Sequence, residues 1–486
     1  MTGNPLTALL GCSVFLLSVA LETVAQSIDQ AALSPAIRID GCFQDWKGVE
    51  PLAINERTGL LKTLCLADDA DYLFLKLEFT WKVNLQAGNR ITLDLDVDDD
   101  PTSGLRKGRL GVDASFTFGE RRGWIFSGQD TLSIQYESLG LVTAPTMEST
   151  IFEIALSWPA SKELMTLGFG TKPMRLSVAD ESDGSPPLIA AYIPQRPARP
   201  GLPPISLEKE DPTHLRLVTH NVNRRHFNPE KRDAFSRVYQ ALQPDILLLQ
   251  EAYEGTATEI LDYFRMAVGA PLSGRWYAYK AGEEATVLLS PFPAAAVVHL
   301  GNSAAYILDL TAPYTGKLVL IALSMPCCDL DGARQAEADM IMAFIDNLKT
   351  GKTQEHIPVG TPIILAGDAN LVRRTEQYTT LTMGDIQDTL AYGPGAPPDW
   401  DGSPFLDLLP YHLQRPMAYT WRGSGFFPGR LDFIFYSDSV LKIGRNFVFD
   451  TVGLPEEVLS RYGLQERDAP DTYKHQPVVA DLILGN

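Results

Sequence analysis

Between Ile37 and Ile193 the apolar positions come in short bursts. DYLFLKLEF, RITLDLDV, VDASFTF, TLSIQY and TIFEIALSW alternate or run apolar over strand lengths, with Gly and Asp between them. No helical period of useful length interrupts them before SKELM, which predicts an all-β sandwich. A Pro-rich stretch follows, holding Pro186, Pro187, Pro194, Pro197, Pro200, Pro203, Pro204 and Pro212. Such a run favours extended backbone and predicts a semi-rigid linker. After His214 strands alternate with helices. LRLVTHNV reads as a strand, PEKRDAFSRVYQAL as an amphipathic helix opened by Pro229, and DILLLQE as a buried strand. KLVLIALSM is another strand, GARQAEADMIMAFIDNL places Ala336, Met340, Ala343 and Phe344 at helical spacing, and TPIILAGDAN returns to strand. The predicted units are a leader at 1–25, a β-sandwich at 27–195, a linker at 196–212 and an α/β domain at 213–486.

Leu6 to Leu21 is apolar and softened by Ser and Gly, and Thr23-Val24-Ala25 supplies a small-residue cleavage site, the pattern of an export signal. The stretch is short for a membrane span, and no later segment is apolar enough to cross a bilayer, so a secreted or periplasmic protein is expected. The apolar run continues past Cys12, which argues against lipoprotein processing there. Cys42 and Cys65 share the N-terminal region and can pair in an oxidising compartment. Cys327 and Cys328 are adjacent, which allows a strained vicinal disulfide or, more commonly, two buried thiols. No Cys/His spacing resembles a zinc site. With 486 residues, 45% of them hydrophobic, the chain can bury two cores. Its formal net charge of −19 repels polyanions at long range and disfavours a processive DNA-binding enzyme. A phosphodiester substrate stays compatible with that charge, because a divalent cation inverts the local potential.

Two groups of acids carry candidate chemistry. Asp94, Asp96 and Asp98 alternate with Leu93, Leu95 and Val97, so on a strand they share one face. A Ca²⁺ site and a solvated acidic edge both fit this run, which is not an EF-hand loop. Elsewhere four apolar runs each deliver a polar tip: Glu251 after PDILLLQ, Asp368 and Asn370 in GDAN, Asp432 in GRLDFIFYS, and His475 in KHQPVVADL. Buried backbone of this kind can hold a polar tip rigidly. Taken singly, each reads as a turn, a helix cap or a structural imidazole; the order Asn221, Glu251, Asp368-x-Asn370, Asp432, His475 is the stronger signal. Arg224, Arg225 and Lys231 form a small basic patch, either a phosphate guide or a solvated surface.

Over about residues 213–484 this order resembles the endonuclease/exonuclease/phosphatase superfamily of metal-dependent phosphodiesterases. The resemblance implies an α/β four-layer sandwich, two β-sheets flanked by helices. It implies that Glu251, with Asn221, binds Mg²⁺ or Mn²⁺, that Asp368 positions the nucleophilic water, and that Asn370 touches phosphate. Asp432 would orient His475, which would stabilise the phosphorane or assist proton transfer. Arg334 matches a structural arginine and Trp421 a tryptophan packed below the site. Two departures stand out: Lys474 occupies the place of the family's usual aspartate before the histidine, and Ser324 the place of a phosphate-contacting His or Tyr. In the first module, IDGCFQDWKGVEPL and LDLDVDDDPTSGLRKGRLGVDASF are similar to family 9 carbohydrate-binding sandwiches, which implies a polysaccharide partner. The expectation is a secreted metal-dependent phosphoesterase of nuclease or phosphodiesterase type. Its phosphate-ester substrate is a nucleic acid, a phospholipid headgroup or a small ester. A degenerate phosphoesterase fold acting as a binding protein, suggested by Ser324 and Lys474, and a polysaccharide-binding surface protein are the alternatives.

Overall fold

The computed structural model describes residues 36–56, 59–128, 130–182, 184–198, 204–224, 228–268, 274–282, 286–469 and 474–484. The expected export signal, Cys12 and Arg225 lie outside them. In the N-terminal half, one five-stranded sheet runs in the order Ala53–Ile54, Leu61–Asp68, Tyr72–Val83, Ser149–Ser157, Val142–Ala144. A six-stranded sheet runs Leu188–Tyr192, Met174–Asp180, Ile91–Asp96, Ala114–Thr117, Arg122–Ser127, Asp130–Gln135. Leu64, Leu75, Leu77 and Phe152 of the first sheet share one apolar core with Leu93, Leu95, Phe116, Leu176 and Val178 of the second.

The C-terminal half holds two six-stranded sheets. One runs Tyr277–Ala281, Thr286–Ser290, Ile246–Gln250, Leu215–Asn221, Val478–Ile483, Lys442–Val448; the other Ala294–Leu300, Ser303–Asp309, Lys317–Ser324, Ile363–Asp368, Asp432–Tyr436, Leu406–Leu408. Each is centred on a parallel pair, Leu215–Asn221 with Ile246–Gln250 and Lys317–Ser324 with Ile363–Asp368, flanked by an antiparallel third strand. A parallel pair needs a crossover. The helices Arg232–Leu242 and Asp331–Lys349 lie in the two crossovers.

Alternation along these strands decides where the polar tips go. Leu215, Leu217, Ile246, Leu248, Leu318, Leu320, Ile364, Ala366, Ile434 and Val478 fill one core shared by the two sheets. Their neighbours Val218, Leu247 and Leu249 pack with Phe235, Val238 and Leu242 of the first helix. Val319, Ile321, Ile363, Leu365 and Phe435 pack with Ile341, Ile345 and Leu348 of the second. By the period of two, Asn221, Ser324, Asp368 and Asp432 fall on the faces that build the shared core, at its end.

The two halves are sewn together beside those tips. Hairpin strands Trp421–Gly423 and Phe426–Gly429 leave the second half, and Phe427 enters the core of the first, against Phe116, Phe118 and Tyr136. Tyr136 donates to the Gly423 carbonyl at 2.8 Å, Phe427 N donates to Gln86 Oε1 at 3.1 Å, and Arg430 N donates to Thr146 Oγ1 at 2.9 Å. Glu148 N donates to the Arg373 carbonyl at 2.6 Å.

Several expectations are corrected. Asp94 does not join Asp96 and Asp98, because Lys107 pairs with it at 2.9 Å; Asp113 takes its place. Cys42 and Cys65 are free: Cys65 is buried with Trp46 and Phe74, whereas Cys42 is exposed. Cys327 and Cys328 are exposed free thiols rather than buried ones, with sulfurs 2.6 Å apart. In the Pro-rich stretch Leu207 is buried in the core beside the first helix, and its amide donates to Tyr462 Oη at 3.0 Å, so that part of the segment packs instead of running free.

Candidate active site

Asp368, Asp432 and His475 bring ligand-type atoms within 4.8 Å of one another, all three side chains buried. Strand pairing sets this up. Asp368 closes a strand whose parallel neighbour ends at Ser324 and whose antiparallel neighbour begins at Asp432, so the three sit side by side in register. His475 arrives just before the Val478–Ile483 strand of the other sheet, held by a bridge to Trp421 and by Gln476 N donating to the Thr420 carbonyl at 2.6 Å. The site therefore spans the end of the shared core, with two residues from one sheet facing one from the other.

Asn221 joins this group to Glu251. Its Nδ2 donates to Asp368 Oδ2 at 2.8 Å and to Glu251 Oε1 at 3.1 Å. Asn223 Nδ2 lies 3.4 Å from Glu251 Oε2, and Asn223 N donates to Asn221 Oδ1 at 2.8 Å. His475 Nδ1 bonds Asp432 Oδ2 at 2.9 Å, which leaves Nε2 3.8 Å from Asp368 Oδ2. Thr420 Oγ1 donates to Asp432 Oδ2 at 2.7 Å and accepts from the amides of Leu431 and Asp432 at 3.0 and 2.9 Å.

The backbone is bent hard on both sides of the cluster. Glu251 has φ 52° and Asn370 φ 48°, a left-handed conformation that costs an L residue roughly 1–2 kcal/mol. The strand stops at Asp368, and Asn370 turns back, its amide donating to Asp368 Oδ1 at 3.2 Å and its Nδ2 to the Met325 carbonyl at 2.8 Å. Gly367 has φ 135°, and a Cβ there would meet the Leu323 carbonyl oxygen at 2.3 Å and Gln250 Nε2 at 2.9 Å. A side chain at 367 would force this strand end away from the Leu323 backbone.

Burial pushes the Asp368 carboxyl up, to about 7, with Asp432 and Glu251 adding to the rise and His475 and Asn221 opposing it. Burial pulls the His475 imidazole down, but Asp432, Asp368 and Glu251 outweigh it and carry the group up to about 9. The site is thus a buried acidic pocket with one imidazolium as its counter-charge. Asp432 Oδ1 is buried with no hydrogen-bond partner among the described residues. An orphaned carboxylate oxygen beside further carboxylate and side-chain amide oxygens fits a hard divalent cation.

The remaining expected residues fall around this centre. Ser324 is buried beside Asp368, its amide donating to Ser303 Oγ at 3.1 Å. Lys474 is exposed, flanking the Gly423 turn, and makes no ion pair among the described residues. Arg334 is buried and bonds the carbonyls of Pro326 and Cys328, bracing the loop whose Met325 holds Asn370. Trp421 is half-buried rather than core. Arg224 is exposed, stacked 4.1 Å over the Tyr253 ring. Thr420 and Asn223 were not singled out from the sequence. Asn223 lies two residues past Asn221 in THNVN, whereas Thr420 has no signal beyond its position before Trp421.

Residues 218–453 match the model of the Endonuclease/Exonuclease/phosphatase family, a match that ends before His475. Among solved structures, a humanized D. rerio TDP2 is similar at 16% identity, over 55% of this chain and 98% of that one, with a TM-score of 0.35. The human Nocturnin catalytic domain with bound sulfate is similar at 16% identity, over 56% and 95%, with a TM-score of 0.35. A Staphylococcus aureus beta toxin mutant with bound magnesium ions is similar at 14% identity, over 55% and 99%, with a TM-score of 0.31. No curated protein matches the chain. The stretch 218–453 that matches the Endonuclease/Exonuclease/phosphatase family model contains Asn221, Glu251, Asp368 and Asp432.

Proposed function

We propose that this chain is a secreted, divalent-metal-dependent phosphoester hydrolase. The observation that carries the reading is the convergence of Asp368, Asp432 and His475 within 4.8 Å, linked through Asn221 to Glu251. Glu251 and Asn221 would hold Mg²⁺ or Mn²⁺, with carboxylate help from the Asp368 side. The bound ion would neutralise a non-bridging phosphate oxygen. Asp368 orients a water for in-line attack and accepts its hydrogen bond. Asp432, itself fixed by Thr420, holds His475 by Nδ1, so Nε2–H faces the reacting phosphate and stabilises the charge that develops there. Asn370 donates its second amide hydrogen to phosphate, the first being held by Met325. Ser324 supplies one neutral hydroxyl where a charged donor would be stronger.

The charge of −19 favours a small phosphate ester or a lipid headgroup over long DNA. Hydrolysis of bis-p-nitrophenyl phosphate, sphingomyelin and plasmid DNA, each with Mg²⁺, Mn²⁺ or EDTA, tests the reading. Activity that EDTA and Glu251→Ala both remove supports it. Inactivity across a broad phosphoester panel would point to a binding protein instead.

The proton balance gives a second test. Both Asp368 and His475 are raised above their unfolded values of 3.8 and 6.5. Each therefore contributes stability that is complete below its unfolded value and is lost as pH climbs through its folded one. The metal-free protein should weaken from about pH 4 to 9, and a cation that replaces those protons should matter more at the alkaline end. The Tm difference between Mg²⁺ and EDTA is expected to be larger at pH 8.5 than at pH 5.5; an equal or reversed difference contradicts metal binding at this centre.

A further inference from the structure

We propose that the N-terminal β-module holds a calcium ion between Asp96, Asp98 and Asp113. The site is separate from the catalytic centre and does not rest on the reading of it. Asp96 ends the Ile91–Asp96 strand, Asp98 opens the loop that follows, and Asp113 is where the chain comes back to pair with that strand. The three carboxylates bring oxygens within 4.8 Å of one another. No pair exceeds the roughly 4.6–5.2 Å that separates opposite ligands around calcium at its usual bond lengths.

Two of the three acids are almost completely buried, Asp96 at 1% exposure and Asp113 at 2%. Asp113 is partly satisfied, accepting from Val97 N at 2.8 Å and from Ser103 Oγ at 3.3 Å. Asp98 accepts from Asp100 N at 3.1 Å and lies 3.1 Å from the same Ser103 Oγ, whose single hydrogen serves only one of the two acids at a time. Asp96 accepts from Gly111 N at 3.1 Å through Oδ2, but its Oδ1 is buried with no hydrogen-bond partner among the described residues. A buried carboxylate oxygen so placed beside two further acids carries a repulsion that a bound cation would relieve.

The nearby basic side chains are occupied elsewhere. Lys107 pairs with Asp94 at 2.9 Å and Arg175 with Asp99 at 2.7 Å, and none of the three acids has an ion pair among the described residues. The donors are all hard oxygens, which disfavours transition metals. They sit on a loop able to add carbonyls and water, which suits calcium's flexible shell of roughly six to eight oxygens better than magnesium's rigid octahedron.

Thermal unfolding of the full chain in EDTA and in 1 mM CaCl₂ tests the site, with Asp98→Asn chosen because Asp98 is the most accessible of the three. Calcium should raise the wild-type Tm by on the order of 3–6 °C. Asp98→Asn should lose that rise yet melt in EDTA no lower than wild type, since it removes one repelling charge. In a Glu251→Ala background the calcium rise should persist, and magnesium at equal concentration should give less than half of it. A wild-type Tm indifferent to calcium overturns the proposal. So does a rise that survives Asp98→Asn, one that disappears with Glu251→Ala, or an equal response to magnesium in that background.

Discussion

Asp368→Asn should leave the fold intact and lower kcat/KM for phosphodiester hydrolysis by about a thousandfold or more, on whichever substrate the wild type accepts. The replacement keeps the shape and one acceptor oxygen, enough for the Asn221 Nδ2 donor that meets Oδ2 at 2.8 Å, while the longer 3.2 Å bond from Asn370 N to Oδ1 is given up. What it removes is the negative charge that orients water and balances the His475 imidazolium. Losing one such charge in a dry site is worth about 4 kcal/mol of transition-state stabilisation, close to three decades in rate. Because burial opposes ionisation of Asp368, the variant should be as stable as wild type in EDTA, or more so, while losing its response to Mg²⁺. Steady-state kinetics and melting curves on the same preparation separate the two effects. Near-normal turnover in the Asn variant would remove Asp368 from the chemistry.

Phe427→Ala is expected to have the largest effect on stability, about 3–5 kcal/mol. Phe427 sits in the aromatic group of the first module although it belongs to a hairpin of the second. The same hairpin begins at Trp421, bridged to His475, next to Thr420, which holds Asp432. Emptying its socket should loosen His475 as well as the seam. Urea unfolding of the wild type should show one transition for both modules. The variant should shift it to lower denaturant and lose activity at temperatures where it is still folded. Two independent transitions in the wild type, or full activity in the variant, would show that the modules are only neighbours. A tightly packed seam would make the β-module a support for the site.

The legible part of this protein was the part written in local periodicity. Runs such as DILLLQE and PIILAGD feed two cores from alternate positions, so an apolar strand with one polar end could be read directly. The partners across space could not. Asp113 joins Asp96 because the chain returns through a loop, and Lys107 takes Asp94 away; no spacing rule carries either fact. Thr420 was invisible for the same reason, since a threonine becomes important only when an aspartate is folded onto it. The position of Asn370 is equally hidden from periodicity, because the strand stops at Asp368 and the chain turns through a left-handed residue.

The shared core has a consequence for error correction during folding. In the Ile363–Asp368 strand, Ile364 and Ala366 lie on the same side as Asp368, with Ile363 and Leu365 on the other. Slipping its pairing by one residue would send the acid toward the helix layer and exchange both apolar sets at once. A chain with Asp368 facing the wrong way would also be a chain with its greasy surfaces misassigned, so misaligned molecules fail to become compact.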